Sequence, residues 1–177
     1  MWPRIRNKLS ERKDFWDEDK LGRVALHFDG QAIDSHYRHH DKTIIIRTKD
    51  NPNHQLVRAA FHELIHREQY YRQETPNHEP ELDIFLKNLT PNPCDEKYAS
   101  NPLEWMAYAG GDVEAAFQGG DTKQSLMSKA AQPATKRFER LDSFTNAGFC
   151  SFPRCGSLGD FSGYWKYYDA YVRALPE

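Results

Sequence analysis

The sequence has few cysteines and no long apolar run. Its three cysteines, Cys94, Cys150 and Cys155, are too few and odd in number for a disulfide framework. No apolar stretch approaches the roughly 18–20 residues that a membrane-spanning helix needs. The first twenty residues are charged and lack the apolar segment of a secretory signal. We therefore expect a protein of the reducing cytoplasm with no membrane partner.

The chain also lacks an excess of charge of either sign. It has 24 Lys and Arg against 26 Asp and Glu, which gives a formal net charge of −2. A nucleic-acid-binding domain usually carries a basic surplus, so we expect no nucleic-acid partner. Hydrophobic residues at 38% and charged residues at 28% are typical of a globular protein. A length of 177 residues suits one domain, 1–177.

The periodicity of apolar residues predicts an α+β fold. Segment 22–30 alternates apolar and polar residues, and segment 42–49 holds three consecutive isoleucines, so both are predicted strands. Apolar residues over about 53–74 recur at i, i+3, i+4 and i+7, which predicts a long amphipathic helix. Three further helices are predicted, over 100–120, 134–145 and 161–174, and the last has an aromatic side that packs in the core. Segment 76–100 is predicted to be a mostly irregular connection that holds one amphipathic piece, 81–89.

The strongest chemical signal is HELIH, residues 62–66. On a helix, residues four positions apart lie on one face, so His62 and His66 can direct their imidazoles at one common atom. Zinc accepts histidine nitrogen at about 2.0–2.1 Å in a tetrahedral site. Glu63 lies about 100° around the helix from His62, so it can reach a water on the metal rather than the metal itself. This is the H-E-x-x-H pattern, in which the glutamate is the general base.

A zinc held by two histidines and a water still needs a third protein ligand. Glu104, in the segment NPLEWMAY, lies 38 residues beyond His66 and is the first candidate. It also stands three residues after Asn101, as in a helix capping box, so ligand and cap compete for one carboxylate. The next candidates are Asp112 and Glu114 on the same predicted helix, followed by His78 and Asp83.

Two other groups of potential metal ligands have simpler interpretations. The segment SHYRHHD, residues 35–41, holds three histidines and an aspartate, and we interpret it as a polar hairpin turn rather than a metal site. Cys150 and Cys155 are separated by four residues, and the chain offers no second cysteine pair. We therefore predict no structural metal at the cysteines.

HELIH followed by Tyr98 and NPLEWMAY resembles the gluzincins, zinc metallopeptidases in which a glutamate on a later helix joins the two histidines. NPLEWMAY is similar to the P-x-E-x-x-A-Y segments of small metallopeptidases of phages and other mobile elements, and more distantly to the repressor-cleaving metallopeptidases of ImmA type. The resemblance covers about residues 42–118. It implies a zincin-like fold, with a small, mostly antiparallel sheet packed on the HExxH helix and additional helices.

The resemblance also implies a ligand set and an activity. His62, His66 and Glu104 would bind Zn²⁺, and Glu63 would be the general base. The chain departs from many relatives at Met106, where they have a second glutamate. The zincin core would span about 22–118, followed by a helical C-terminal part, 119–177.

The implied function is zinc-dependent hydrolysis of a peptide bond in a protein or peptide substrate. We expect strand 42–49 to be an edge strand that can hold an extended peptide by strand addition. One alternative is a binding or regulatory module, such as a phage or mobile-element effector, that keeps the zincin scaffold with little or no proteolytic activity. Another is a structural protein in which the motif is accidental. The sequence does not constrain the oligomeric state.

Overall fold

In a computed structural model of the protein, the structure describes residues 24–32, 35–49, 53–89, 101–131 and 162–177. The α+β class is confirmed, and the predicted helix over 134–145 lies outside these ranges, as do all three cysteines. The strands are β1 (Ala25–Asp29), β2 (His36–Arg38) and β3 (Thr43–Arg47), and the helices are α1 (Asn53–Gln73), α2 (Pro80–Lys87), α3 (Pro102–Gln118), α4 (Lys123–Ala130) and α5 (Ser162–Ala174).

The sheet is mixed, and the prediction of a mostly antiparallel sheet is wrong. Its strand order is β1-β3-β2, with β1 parallel and β2 antiparallel to β3. The chain reverses after β1 and again after β2, so β3 runs in the same direction as β1. It lies between the two earlier strands. Alternation of apolar residues identifies strands but carries no information on their direction.

Strand β3 is central, so the expectation that it is an edge strand is also wrong. Its Ile44 and Ile46 are fully buried. It pairs with β1 over its whole length and with β2 over residues 43–45. The predicted turn at 35–41 supplies both strand β2 and the start of the turn into β3, in which Lys42 adopts a positive φ of 55°.

Helix α1 is the centre of the structure. It packs most extensively on α3 and also contacts β3, β2 and α2. Its apolar stripe, which includes Phe61, Leu64 and Ile65, is buried as the periodicity predicts. Among the described side chains, five polar residues of the same helix are buried as well: His62, Glu63, His66, Arg67 and Gln69. A buried polar side chain is costly unless it finds partners, so this segment needs compensating groups from neighbouring elements.

Two glycines allow α3 to approach α1 closely. A Cβ on Gly110 would overlap Ile65 Cδ1, and a Cβ on Gly111 would lie 3.1 Å from the carbonyl oxygen of Arg58. Glycine inside a helix lowers stability by about 0.5–1 kcal/mol relative to alanine. The close contact between α1 and α3 offsets this loss. Glu104 lies on α3 about two turns before Gly111 and is brought against α1 by the same approach.

The remaining helices complete the core around α3. Helix α5 packs on α3 and α4, and its aromatic side is buried, as predicted. Helix α4 was not predicted: it is short and buries only Leu126, so it has no periodic stripe. Its signal is the cap residue Thr122, whose side chain accepts a hydrogen bond from the Ser125 amide. None of the described helices is long and apolar enough to cross a membrane.

Candidate metal centre

His62, His66 and Glu104 meet where α1 packs on α3. The Nε2 atoms of His62 and His66 are 3.0 Å apart. Glu104 Oε2 lies 3.3 Å from His62 Nε2 and 3.4 Å from His66 Nε2. The three residues are buried, with 8% exposure at most. Among the described residues they form the one group of three whose ligand atoms converge in this way.

The triangle formed by these three atoms fits a tetrahedral metal ion. With bonds of about 2.0–2.1 Å, ligand atoms in a tetrahedral site are separated by about 3.3–3.4 Å. The edges of the triangle are 3.0, 3.3 and 3.4 Å. Within the described structure, Glu104 Oε2 is buried and makes no well-directed hydrogen bond, a deficit that an ion would remove. This His–His–Glu group can therefore bind a metal ion and leave one position open.

The electrostatics of the metal-free site follow from burial and mutual charge. Burial lowers the pKa of His62 to about 4. Burial also opposes protonation of His66, but the charges of Glu104 and Glu63 outweigh it and raise the pKa of His66 to about 9. Burial raises the pKa of Glu104, yet the charge of His66 lowers it to about 2. At neutral pH the metal-free site thus pairs a protonated His66 with an ionised Glu104.

Glu63 lies beside the ligand group and is not a member of it. Glu63 is 5% exposed and follows His62 directly in α1, and its charge contributes to the raised pKa of His66. Among the residues that the structure describes, the converging group consists of the two histidines and Glu104. Glu63 is therefore a buried carboxylate on the same helix as the two histidines, outside the converging group.

The capping-box interpretation of Glu104 is wrong. The side chain of Asn101 caps α3 by accepting a hydrogen bond of 3.0 Å from the Leu103 amide, and its amide group donates to the carbonyl of Phe85. Within the described residues, the polar contacts of the Glu104 side chain are those with His62 and His66. The cap and the carboxylate are thus separate groups with separate roles.

The other carboxylates of α3 do not reach the histidines. Asp112 pairs with Arg58 of α1 and accepts a hydrogen bond from Tyr164 of α5, so it joins three helices. Arg58 lies 5.7 Å from the centre of the Tyr108 ring, and that ring packs edge-on against His62 at 4.4 Å. Asp112 and Glu114 therefore lie outside the converging group found among the described residues.

The remaining sequence candidates are engaged elsewhere. His78 pairs with Asp83 at 3.1 Å, away from the centre. In the segment 35–41, His39 stacks on Tyr70 at 4.4 Å and lies 3.2 Å from Glu74. None of these residues belongs to a group of three converging ligands in the part of the chain that the structure describes.

Gln69 is a residue that the sequence interpretation missed. It is 2% exposed and lies one turn after His66 on α1. Its Oε1 is 2.9 Å from His66 Nδ1, and its Nε2 donates to the carbonyl of Leu103 at 2.9 Å. A signal exists in the spacing, because a polar residue three positions after the second histidine shares its helix face.

No known protein family, curated protein or solved structure matches this chain. The resemblance to gluzincins therefore stays a prediction from two short segments. The function has to be inferred from the chemistry of the His62–His66–Glu104 group and its neighbours.

Proposed function

We propose that the protein is a zinc-dependent peptidase with a zincin-like core. His62, His66 and Glu104 bind Zn²⁺, and Glu63 is the general base in hydrolysis of a peptide bond. The observation that carries the proposal is the convergence of three ligand atoms from two helices. Glu63, which follows His62 directly in the sequence, is also buried. The proposed location is the cytoplasm, and the proposed substrate is a protein or peptide.

The donor set favours zinc over the common alkaline-earth ions. Ca²⁺ takes six to eight oxygen ligands and Mg²⁺ prefers octahedral oxygen sites, whereas two imidazoles and one carboxylate suit zinc. Structural zinc sites are usually closed by four protein ligands, while catalytic sites have three and an open position. The group of His62, His66 and Glu104 has three protein ligands, as catalytic zinc sites do.

The chain's own residues supply proton transfer and orientation. When bound, zinc would act as a Lewis acid and make water nucleophilic near neutral pH. Glu63 accepts the proton of the attacking water and passes it to the amine that leaves. Tyr108, packed on the ring of His62, restricts the rotation of that ligand. The regulatory alternative has no need of a base, so Glu63 beside the ligand group favours hydrolysis.

The proposal predicts about one zinc ion per chain in protein purified without chelator or histidine tag. Elemental analysis measures this, and mass spectrometry of a digested peptide mixture measures cleavage. Glu63→Gln keeps the shape of the side chain but cannot accept a proton at pH 7. We expect it to retain zinc while cleavage falls by a factor of about 10² or more.

Two results would contradict the proposal. If the wild-type protein takes up no added zinc, the proposed metal centre does not exist. Loss of zinc in Glu63→Gln would mean that Glu63 is a ligand or supports one, and that the proposed mechanism is wrong. Zinc binding without any cleavage of the peptide mixture, by contrast, supports the regulatory module.

A further inference from the structure

Gln69 connects the two ligand-bearing helices at the level of the metal centre. Its amide nitrogen donates to the carbonyl oxygen of Leu103, which can only accept, so its amide oxygen faces His66. Leu103 directly precedes Glu104 in the first turn of α3. One side chain therefore contacts a ligand on α1 and the residue next to a ligand on α3.

The orientation of the Gln69 amide determines which nitrogen of His66 can bind a metal. Because an amide oxygen only accepts hydrogen bonds, the hydrogen of the His66–Gln69 bond must lie on Nδ1. The Nε2 atom, which faces Glu104, is then the one available to an ion. Metal-binding histidines commonly donate their second ring N–H in this manner, and the donated bond fixes the ring.

The two histidines are held by different means. Among the described residues, Nδ1 of His62 has no hydrogen-bond partner, and the His62 ring is instead packed against Tyr108. His66 donates a directed hydrogen bond from Nδ1 to Gln69 Oε1 at 2.9 Å. Loss of Gln69 would thus release one ligand ring and loosen the first turn of α3 at the same time.

We infer that Gln69 is a positioning residue, which fixes the ring of His66 and its separation from Glu104 before a metal binds. This inference rests on the proposed metal centre, and it assigns to Gln69 no contact with the metal or the substrate. A site held in place before binding loses less freedom when the ion arrives, and so binds it more tightly.

The test compares Gln69→Met, Gln69→Glu and the control Gln73→Met. Methionine matches glutamine in length and suits a helix, but it removes both hydrogen bonds. Glutamate keeps an acceptor for His66 and loses the donor to Leu103. Gln73 lies one turn further along α1, where its amide donates to Asp83, so Gln73→Met removes a comparable bond away from the histidines.

Zinc affinity, measured by competition with a chelator, should fall about 10–100-fold in Gln69→Met, the usual scale for loss of such a partner. We expect Gln73→Met to bind like the wild type. Gln69→Glu should bind zinc more tightly than Gln69→Met, and should have a lower melting temperature than the wild type because Leu103 loses its donor.

A spectroscopic measurement separates positioning from general stabilisation. In the zinc-loaded wild type, the Nδ1–H of His66 should give a protected proton signal in NMR spectra, and Gln69→Glu should retain it. In Gln69→Met the signal should be lost by exchange with water, although circular dichroism shows the same helix content.

The inference is overturned if Gln69→Met binds zinc as tightly as Gln73→Met, or if Gln69→Glu binds no better than Gln69→Met. These outcomes differ from failure of the proposed function, which is an absence of zinc in the wild type. If the protein binds zinc but cleaves no peptide, the proposed function fails while the positioning role of Gln69 is unaffected.

Discussion

At the scale of single residues, Glu104 and Asn101 are close in sequence and have different roles. Glu104 is 3% exposed and contacts both histidines, while Asn101 closes the N-terminus of α3. We predict that Glu104→Ala sharply weakens zinc binding, because the ion keeps only two protein ligands. Asn101→Ala should cost about 0.5–2 kcal/mol of stability, the scale of a lost cap, and retain zinc. Zinc titration and denaturant unfolding of both variants check this.

The pair of variants serves as its own control. Equal zinc affinities in Glu104→Ala and Asn101→Ala would mean that Glu104 is not the third ligand. In that event Glu104→His is informative, because an imidazole can replace a carboxylate only at a true ligand position.

The residues of the centre could be predicted to different degrees. His62 and His66 are fixed by local spacing, because residues four positions apart lie on one face of a helix. Glu104 comes from a distant segment, and its sequence context also allows a cap, although the ligand role is the preferred prediction. Gln69 has only a weak signal, its position three residues after His66, because glutamine on a helix is ordinarily a solvent-exposed residue.

At the scale of elements, the close approach of α1 and α3 depends on Gly110. A Cβ there would overlap Ile65 Cδ1 of α1 and lie 2.8 Å from the Tyr171 ring of α5. Gly110→Ala gains helix propensity of about 0.8–1.0 kcal/mol, but overpacking costs about 1–3 kcal/mol. We predict a net loss of stability, measured by denaturant unfolding, and weaker zinc binding because the helices separate.

A double variant tests the stated cause. Ile65→Val removes the overlapping Cδ1 atom, and alone it should cost about 0.5–1.5 kcal/mol. Combined with Gly110→Ala it should recover part of the lost stability, so the two effects should be less than additive. Strict additivity would show that Ile65 is not the residue displaced.

Elements were predicted where their burial is periodic. Helix α1 and strand β3 have strong apolar patterns, and their predicted ranges agree with the structure to within two residues. The direction of β1 could not be predicted, since it depends on where β3 enters the sheet. Helix α4 has one buried residue, Leu126, which is too little for a pattern to be detected.

At the scale of the whole molecule, the candidate metal centre lies between the helices that make the largest contact in the described structure. The ligands come from both α1 and α3, so the complete site exists only when these helices are packed together. The Asp112 contacts with Arg58 and Tyr164 extend the same junction to α5. A metal ion would therefore stabilise the packed core as a whole rather than one helix.

This arrangement predicts that zinc raises the melting temperature. An ion that binds only the folded state stabilises it by about 2.7 kcal/mol when its free concentration is one hundred times its dissociation constant. Thermal unfolding of chelator-treated protein, with and without added zinc, measures the shift. His66→Ala should show no zinc-dependent shift, whereas His78→Ala, which alters a histidine outside the centre, should show the full one. An equal zinc response in His66→Ala and wild type would mean that zinc binds elsewhere on the chain, and that the junction of α1 and α3 is held together without a metal.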